Sequence, residues 1–310
     1  MNSTNFFLVS VVIGLAVAYF LKFQNERHPM SAEFLARVSQ GSESSTLRMA
    51  QAVGLQLLGR NPVCDFVPGQ LSGQMIVLTG ANSGIGYETA KGLVRRGADL
   101  IIVGRNEKKI EEAVARLKSE LTVEGVNITS IQYIISDMSD LDSVTNLIRV
   151  LHHHFGERQI DQLILNAAIW PQEYSISPQG YEIAFATNTA GPHLLLRALT
   201  AFNVIKPTGR VISLTGDIYV TLSGTENEDC SENFTYGSPS GQGGQDAYSR
   251  SKLGGMWLFD IMHGYFPQLQ MFQVHPGVMD NTLSSEEVPI PKALLLSNEQ
   301  GAQTTLICAT

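Results

Sequence analysis

Cysteine and positive charge are both scarce in this sequence. Three cysteines occur in 310 residues, Cys64, Cys230 and Cys308, an odd number at wide spacing. They form neither a disulfide framework nor a zinc pattern, so a reducing compartment is the simplest interpretation. Acidic residues outnumber basic ones by 29 to 21, for a formal net charge of -8, and no basic stripe is present. This balance argues against nucleic acid as a partner.

Metal-ligand patterns and internal repeats are also missing from the sequence. The three histidines at 152–154 lie in a predicted helix, where successive side chains point about 100 degrees apart and cannot converge on one ion. We therefore predict no metal site. The hydrophobic share of 44% and the charged share of 16% are those of a globular protein. A chain of this length can form one large α/β domain with an appendage.

The first 21 residues carry no charged side chain, and the run Phe6–Leu21 is almost wholly apolar. Its length is close to the roughly 20 residues that cross a bilayer as a helix, so we predict a transmembrane anchor over residues 1–23. A cleaved signal peptide is the alternative, since residues 16–18 read Ala-Val-Ala, but the basic segment of such peptides is absent. Lys22 and Arg27 follow the apolar run and place the remaining chain in the cytosol.

The rest of the chain divides into a helical linker, residues 24–71, and one α/β domain, residues 72–310. Short apolar runs alternate there with amphipathic stretches. The predicted strands lie at 75–79, 100–103, 131–135, 162–165, 210–214 and 271–275. The predicted helices lie at 85–96, 106–120, 140–155, 180–202 and 246–264. This alternation predicts a single-domain, Rossmann-like doubly wound parallel sheet with ligands at the carboxyl ends of its strands.

Two segments of this domain depart from the alternation of strands and helices. Residues 221–245 are polar and rich in glycine and serine, which favours a flap or rim over a core element. The last residues, SNEQGAQTTLICAT, predict the first turns of a late helix.

A glycine-rich turn follows the first predicted strand, in the sequence TGANSGIG. Glycines at a strand-to-helix turn let the backbone approach a pyrophosphate, and the N-terminus of the next helix offers N–H groups to its charge. We therefore predict that this turn binds a dinucleotide. The predicted contacts are Gly80, Asn82, Ser83, Gly84, Ile85 and Gly86.

The residue after the second predicted strand bears on the choice of cofactor. An Asp or Glu at this point would accept hydrogen bonds from the adenosine ribose, whereas this chain has Arg105. An arginine can neutralise a 2′-phosphate, so the sequence favours NADP(H) over NAD(H). The alternative is that Arg105 is a solvated surface arginine.

The stretch AYSRSK places Tyr248 four residues before Lys252 in a predicted helix. Side chains at i and i+4 share one helix face, so the ammonium can lie near the phenol. A nearby cation lowers the pKa of a phenol towards the range where it transfers a proton at neutral pH. The pair alone is a hypothesis, and the motifs around it give it weight.

The chain resembles the short-chain dehydrogenase/reductase family from about residue 72 to its end, on six motifs in the family's order: TGANSGIG, SDMSDLDS, LILNAAIW, FATNTAGPHLLL, AYSRSK and VHPGV. With its apolar N-terminus and Arg105, it is most similar to the membrane-anchored, retinol dehydrogenase-like branch. The resemblance implies that Tyr248 is the general acid/base and that Lys252 lowers its pKa and holds the nicotinamide ribose. Asn188 would keep a water-linked proton path to the lysine. The further implied cofactor contacts are Asp137, Asn166, Ala167, Tyr248, Lys252 and Pro276.

What the resemblance implies for function is an NADP(H)-dependent oxidoreductase that interconverts a carbonyl and an alcohol. The expected substrate is a lipophilic small molecule such as a retinoid, a steroid or a lipid-like compound. The expected location is the membrane of the endoplasmic reticulum, reached through the N-terminal helix, with the domain facing the cytosol. The sequence does not indicate an oligomeric state.

Two departures from the family pattern keep a second function open. Members of the family end the fifth strand with a serine that hydrogen-bonds the reacting oxygen; here that position is Gly216, and the nearest hydroxyls are those of Thr215 and Ser213. The chain also stops at Thr310, where the family continues, which predicts a truncated C-terminus. The alternative function is a catalytically weak, membrane-tethered protein that binds the nucleotide as a structural or sensing ligand.

Overall fold

The computed structural model describes residues 67–154, 158–216, 243–279, 283 and 295–310. The predicted anchor at 1–23, most of the linker at 24–71 and most of the segment 221–245 lie outside these residues. Apart from Leu295, the described residues belong to one compact unit. No helix within the described ranges is long and apolar enough to cross a membrane. The anchor therefore stays a prediction.

Six parallel strands form one sheet in the order β3-β2-β1-β4-β5-β6. They are β1 (Met75–Thr79), β2 (Asp99–Gly104), β3 (Ser130–Ile135), β4 (Ile160–Leu165), β5 (Ile205–Leu214) and β6 (Gln270–Val274). The chain moves outward from β1 to β3 and then returns to the other side of β1, so the strand order reverses between β1 and β4. Ligands of open parallel sheets bind at such a reversal, at the carboxyl ends of the strands. The predicted doubly wound sheet is confirmed.

Helices cover both faces of this sheet. They are α1 (Gly84–Arg95), α2 (Glu107–Val123), α3 (Leu141–His154), α4 (Ile183–Phe185), a π-helical turn (Ala186–Ala190), α5 (Gly191–Ala201), α6 (Gly243–Tyr265) and α7 (Asn298–Ala309). Alternate residues of β1 enter opposite cores: Ile76 packs with α1, α2 and α7, whereas Val77 packs with α3, α5 and α6. A strand that is buried on both faces reads as a continuous apolar run, which is why the sequence predicts β1 well.

The fifth strand begins five residues before its predicted start. Ile205 pairs with Ile160, and the ladder then resumes with Arg210 opposite Gln162, so β5 bulges between the two pairs. The bulge contains Pro207, which has no N–H for the ladder, and this interruption breaks the strand pattern in the sequence.

The late helix predicted from the last residues is present as α7. Ser297 caps it and forms a capping box with Gln300. Its Leu306 packs over α1 at Gly92, where a Cβ atom would lie 2.5 Å from the leucine side chain. The helix also accepts hydrogen bonds from the sheet, because Gln162 donates to the carbonyl of Ala309 at 2.8 Å. It is therefore an integral layer of the domain.

Candidate active site

The predicted site residues that follow strands lie at one edge of the sheet, where the parallel strands end. Gly80 follows β1, Arg105 follows β2, and Asp137 lies two residues beyond β3. Asn166 follows β4, and Pro276 lies two residues beyond β6. One fold thus brings together residues that are far apart in the sequence.

The glycine-rich turn is too tight for side chains at two of its positions. A Cβ atom on Gly80 would lie 2.7 Å from the Cα atom of Ala167, and one on Gly86 would lie 2.2 Å from the backbone oxygen of Gly80. Gly80 also has a φ of 73 degrees and Gly84 a φ of 61 degrees, a conformation that other residues resist. The turn therefore presents bare backbone, as close approach to a pyrophosphate requires.

The N-terminus of α1 lies next to that backbone, and its unpaired N–H groups carry a partial positive charge that attracts anions. Ser83 is the N-cap residue; it is exposed, and its side chain makes no capping hydrogen bond. Asn82 lies beside it, with its amide nitrogen 3.5 Å from the serine hydroxyl. Ile85 is partly buried and packs against the apolar core, which seats the first turn of the helix. A helix of 12 residues with no acidic side chain in its first turn suits a phosphate, so these residues fit a dinucleotide.

Arg105 and Asp137 lie just beyond the ends of the neighbouring strands β2 and β3. Arg105 is exposed, and no described residue forms an ion pair or a hydrogen bond with its side chain. Asp137 is oriented by Ser139, whose backbone N–H and hydroxyl both donate to the carboxylate at 2.8 Å. Their contacts with a cofactor stay predictions.

Asn166 joins the end of β4 to the glycine-rich turn. Its side-chain amide donates to the backbone oxygens of Thr79 at 2.9 Å and of Gly80 at 2.8 Å. The backbone N–H groups of Asn166 and Ala167 both donate to the hydroxyl of Thr79 at 3.0 Å. The side-chain amide of Asn166 therefore bonds within the protein, between the end of β4 and the glycine-rich turn. The contacts of Asn166 and Ala167 with a ribose stay predictions.

Tyr248 and Lys252 lie on one face of α6, as their spacing predicts. The lysine Nζ atom is 5.7 Å from the centroid of the phenol ring and donates to the carbonyl of Leu214 at 3.0 Å. Lys252 is buried, and this burial lowers its pKa from 10.5 to about 8. The ammonium lies over the face of the phenol ring, an arrangement in which a cation attracts an aromatic ring.

Asn188 lies in the π-helical turn and connects three parts of the site. Its side chain accepts from the N–H of Ile169 at 2.8 Å and donates to the carbonyl of the same residue at 2.9 Å. Its amide also donates to the hydroxyl of Ser251 at 2.9 Å, and that hydroxyl donates to the carbonyl of Tyr248 at 2.7 Å. Asn188 therefore links the segment after β4 to the helix that carries the tyrosine.

Trp170 is a site residue that the sequence did not assign. Its ring stacks on that of Tyr248, with centroids 4.7 Å apart and planes 12 degrees from parallel. The two residues are far apart in the sequence, so no local pattern could have revealed the contact. Stacked aromatic pairs contribute about 0.5–1.5 kcal/mol beyond the area that they bury.

Gly216 occupies the position beside the tyrosine hydroxyl. A Cβ atom built there would lie 3.5 Å from that hydroxyl, an ordinary contact distance, and the backbone is outside the left-handed region. Thr215, the nearest hydroxyl in the sequence, donates instead to the carbonyl of Val274 at 3.1 Å. A substrate oxygen would therefore need another donor, or Thr215 would have to leave that carbonyl.

A small cavity lies between α5 and α6, behind the π-helical turn. Asn188, Ser213, Gly255 and His193 are among its lining residues, and its volume of about 20 Å³ admits one water molecule. Burial and the nearby charge of Arg197 lower the pKa of His193. Ser213 thus faces this cavity.

The described residues hold no group of three His, Cys, Asp or Glu side chains that could bind a metal ion. Of the histidine run, His152 and His153 are exposed on α3. The absence of a metal from the protein as a whole stays a prediction.

Comparison with known proteins agrees with this geometry. The family described as short chain dehydrogenase matches residues 74–219. Retinol dehydrogenase 14 of Mus musculus is 30% identical over 262 residues, which cover 78% of this chain and 75% of that protein. Retinol dehydrogenase 12 of Mus musculus is 29% identical over 77% of this chain and 74% of its own length. The chain belongs to the short-chain dehydrogenase/reductase family, as predicted.

Three further similarities are either partial in coverage or low in sequence identity. The WW domain-containing oxidoreductase of Gallus gallus is 28% identical over 81% of this chain, but the chain spans 62% of that protein. A short chain dehydrogenase from Shigella flexneri has a TM-score of 0.58 at 20% identity, over 78% of this chain and 88% of that one. An alcohol dehydrogenase from Thermococcus sibiricus has a TM-score of 0.56 at 21% identity, over 76% and 90%. The two structures show the fold, and the predicted enzyme class is confirmed at the level of the family.

The burial of Lys252 predicts a specific dependence of stability on pH in the cofactor-free protein. The folded-state pKa is depressed from 10.5 to about 8, so between these values the unfolded chain binds more protons and stability rises with pH. Below pH 8 both states are charged, and the cost of burying the charge is fully present. We expect wild type to gain on the order of 3 kcal/mol relative to Lys252→Met across this window. Chemical denaturation at several pH values measures it.

The control for this measurement is Lys118→Met, which removes an exposed lysine. Its stability difference from wild type should stay constant over the same window. A difference for Lys252→Met that also stays constant would contradict the depressed pKa.

Proposed function

We propose that this chain is an NADP(H)-dependent oxidoreductase that interconverts a carbonyl and an alcohol on a lipophilic small molecule, such as a retinoid, a steroid or a lipid-like compound. The observation that carries the proposal is the assembly of Tyr248, Lys252 and Asn188 at the carboxyl edge of the sheet. The same edge holds the glycine-rich turn.

The chemistry divides between the cofactor and the protein. A bound nicotinamide dinucleotide supplies or accepts the hydride. In reduction, the Tyr248 hydroxyl donates a proton to the carbonyl oxygen, and in oxidation the phenolate accepts the proton of the alcohol. Lys252 favours the phenolate by its charge and is held by the carbonyl of Leu214. Gly216 adds no side chain next to this hydroxyl, because a Cβ atom there would lie 3.5 Å from the hydroxyl oxygen.

The preference for NADP(H) rests on Arg105. Its exposed guanidinium follows β2, the position from which a 2′-phosphate can be reached. The Thermococcus alcohol dehydrogenase of similar fold is complexed with 5-hydroxy-NADP, which supports the same choice. The retinol dehydrogenase relatives support a lipophilic alcohol or carbonyl compound as the substrate.

The proposed location is the membrane of the endoplasmic reticulum, with residues 1–23 as the anchor and the domain in the cytosol. The apolar run Phe6–Leu21, followed by Lys22, supports it. The proposed partners are the membrane and a lipophilic substrate. A lipid-soluble compound concentrates in the membrane, next to which the anchor would hold the domain.

Gly216 favours a second candidate, a protein that binds the nucleotide without efficient turnover. A donor that stabilises the reacting oxygen is worth about two to three orders of magnitude in rate. Gly216 provides no side-chain donor, and the Thr215 hydroxyl is bound to Val274. The proton-transfer residues nevertheless remain in place, so we retain the enzyme as the proposal.

Replacing Tyr248 with phenylalanine should separate catalysis from binding. The variant keeps the ring but loses the proton, so we expect turnover to fall by about 100-fold or more while NADPH affinity stays close to wild type. Tyr265→Phe, which removes a hydroxyl from the exposed end of the same helix, is the control. Full turnover in Tyr248→Phe would remove Tyr248 from the mechanism. Activity seen only after Gly216→Ser would favour the second candidate.

The charge of Arg105 should set the cofactor preference. We expect wild type to bind NADPH several-fold more tightly than NADH, and Arg105→Asp to shift that ratio towards NADH by about tenfold or more, or about 1.4 kcal/mol. Lys118→Asp makes a charge change of the same sign at an exposed position of α2 and should leave the ratio unchanged. Titration of both nucleotides against each protein measures the ratio. Equal affinities in wild type would show that Arg105 is a surface residue only.

A further inference from the structure

The stack of Trp170 on Tyr248 has no place in the proton transfer described above. The ring centroids are 4.7 Å apart and the planes lie within 12 degrees of parallel, so the indole covers one face of the phenol. Trp170 is partly buried, at the end of the segment that leaves β4. The contact concerns the ring that carries the reacting hydroxyl.

Both members of the stack are anchored through the same side chain. Asn188 makes two hydrogen bonds to Ile169, the residue directly before Trp170. It makes a third to Ser251, whose hydroxyl donates to the carbonyl of Tyr248. Ser251 is fully buried and Asn188 is nearly so. The backbones on the two sides of the stack therefore cannot move apart without leaving buried polar groups unpaired.

The geometry around the hydroxyl shows what the stack could accomplish. A phenol that lies flat against an indole cannot turn about its Cβ–Cγ bond without losing that contact. The hydroxyl oxygen lies 3.5 Å from the position that a Cβ atom on Gly216 would occupy, so the ring holds its oxygen beside the backbone of Gly216. A side chain is absent from that position, and the stack restrains the ring from its face.

We propose that Trp170 is a positioning residue for Tyr248. The indole holds the phenol so that its hydroxyl stays beside Gly216, and it closes the covered face of the ring to the substrate. Substrate therefore reaches the hydroxyl without crossing the stacked face. The inference rests on the proposed function, since it assigns Trp170 a part in that reaction.

Kinetics of two Trp170 variants test the role in catalysis. Trp170→Leu removes the stack, and we expect kcat to fall by about tenfold or more while KM and the dissociation constant of NADPH change by about twofold or less. Trp170→Phe keeps an aromatic face and should retain kcat within about threefold of wild type. Trp257→Leu is the matched control, because Trp257 is 49% exposed on α6. Its kinetics should equal those of wild type.

A spectroscopic measurement tests the stack itself, without cofactor or substrate. The sequence has two tryptophans, so Trp257→Phe leaves Trp170 as the only indole. In that background, near-ultraviolet circular dichroism should show a strong indole band. Tyr248→Leu should reduce this band, and Tyr248→Phe, which keeps a ring against the indole, should retain most of it.

The outcomes separate this proposal from the proposed function. An unchanged kcat in Trp170→Leu, with active wild type, overturns the positioning role and leaves the function standing. An indole band that is indifferent to Tyr248→Leu shows that the rings do not stack in solution and also overturns the role. If wild type shows no turnover, both the proposed oxidoreductase function and the positioning role of Trp170 are overturned. This holds even if the indole band shows that the two rings stack. Trp170→Met repeats the kinetic test if the leucine variant folds poorly.

Discussion

The amide of Asn188 is the interaction on which the arrangement of the site depends. It is nearly buried and makes three hydrogen bonds, two to the backbone of Ile169 and one to the hydroxyl of Ser251. Each such bond contributes about 1 kcal/mol net, but leaving a buried partner unpaired costs more. The π-helical turn places this amide between the end of β4 and helix α6. Tyr248, which we propose as the proton-transfer residue, is thereby located relative to the sheet.

The segment from Asn166 to Trp170 connects the two halves of the site. At its start, Asn166 ties the strand end to the glycine-rich turn, where a dinucleotide fits. At its end, Trp170 stacks on Tyr248, the residue that we propose for proton transfer. A short stretch of backbone therefore connects the glycine-rich turn with Tyr248. Close packing of Gly80 against Ala167 fixes the start of this segment. The buried amide of Asn188 fixes its end through two hydrogen bonds to Ile169.

The sequence predicts those features that depend on local pattern. β1 and β2 are buried on both faces, so their apolar runs indicate strands directly. The glycine-rich turn is predicted from the glycines that follow β1 in TGANSGIG. The pairing of Tyr248 with Lys252 follows from helical spacing. The site could be assembled from motifs because the carboxyl ends of parallel strands meet at one edge.

Features that depend on long-range packing could not be predicted in the same way. The bulge in β5 at Pro207 arises from its pairing with β4. The bond of Thr215 to Val274 depends on the neighbouring strand β6, and it removes the hydroxyl that the sequence suggested as a donor. The stack of Trp170 joins residues on separate elements. In each case the deciding partner is distant in the sequence, beyond the reach of propensity or spacing.

The central claim is that this site transfers hydride from a nicotinamide cofactor to a lipophilic carbonyl compound. Its most direct test is to incubate the full-length protein with NADPH that carries deuterium at C4 on one face, and with a panel of retinal, steroid and aliphatic carbonyl compounds. Mass spectrometry of the alcohols then measures transfer of the label. We predict that at least one product gains one deuterium from the label on one face of the ring and none from the other. Alcohol formation without label from either face, or no alcohol from any compound, would contradict the account.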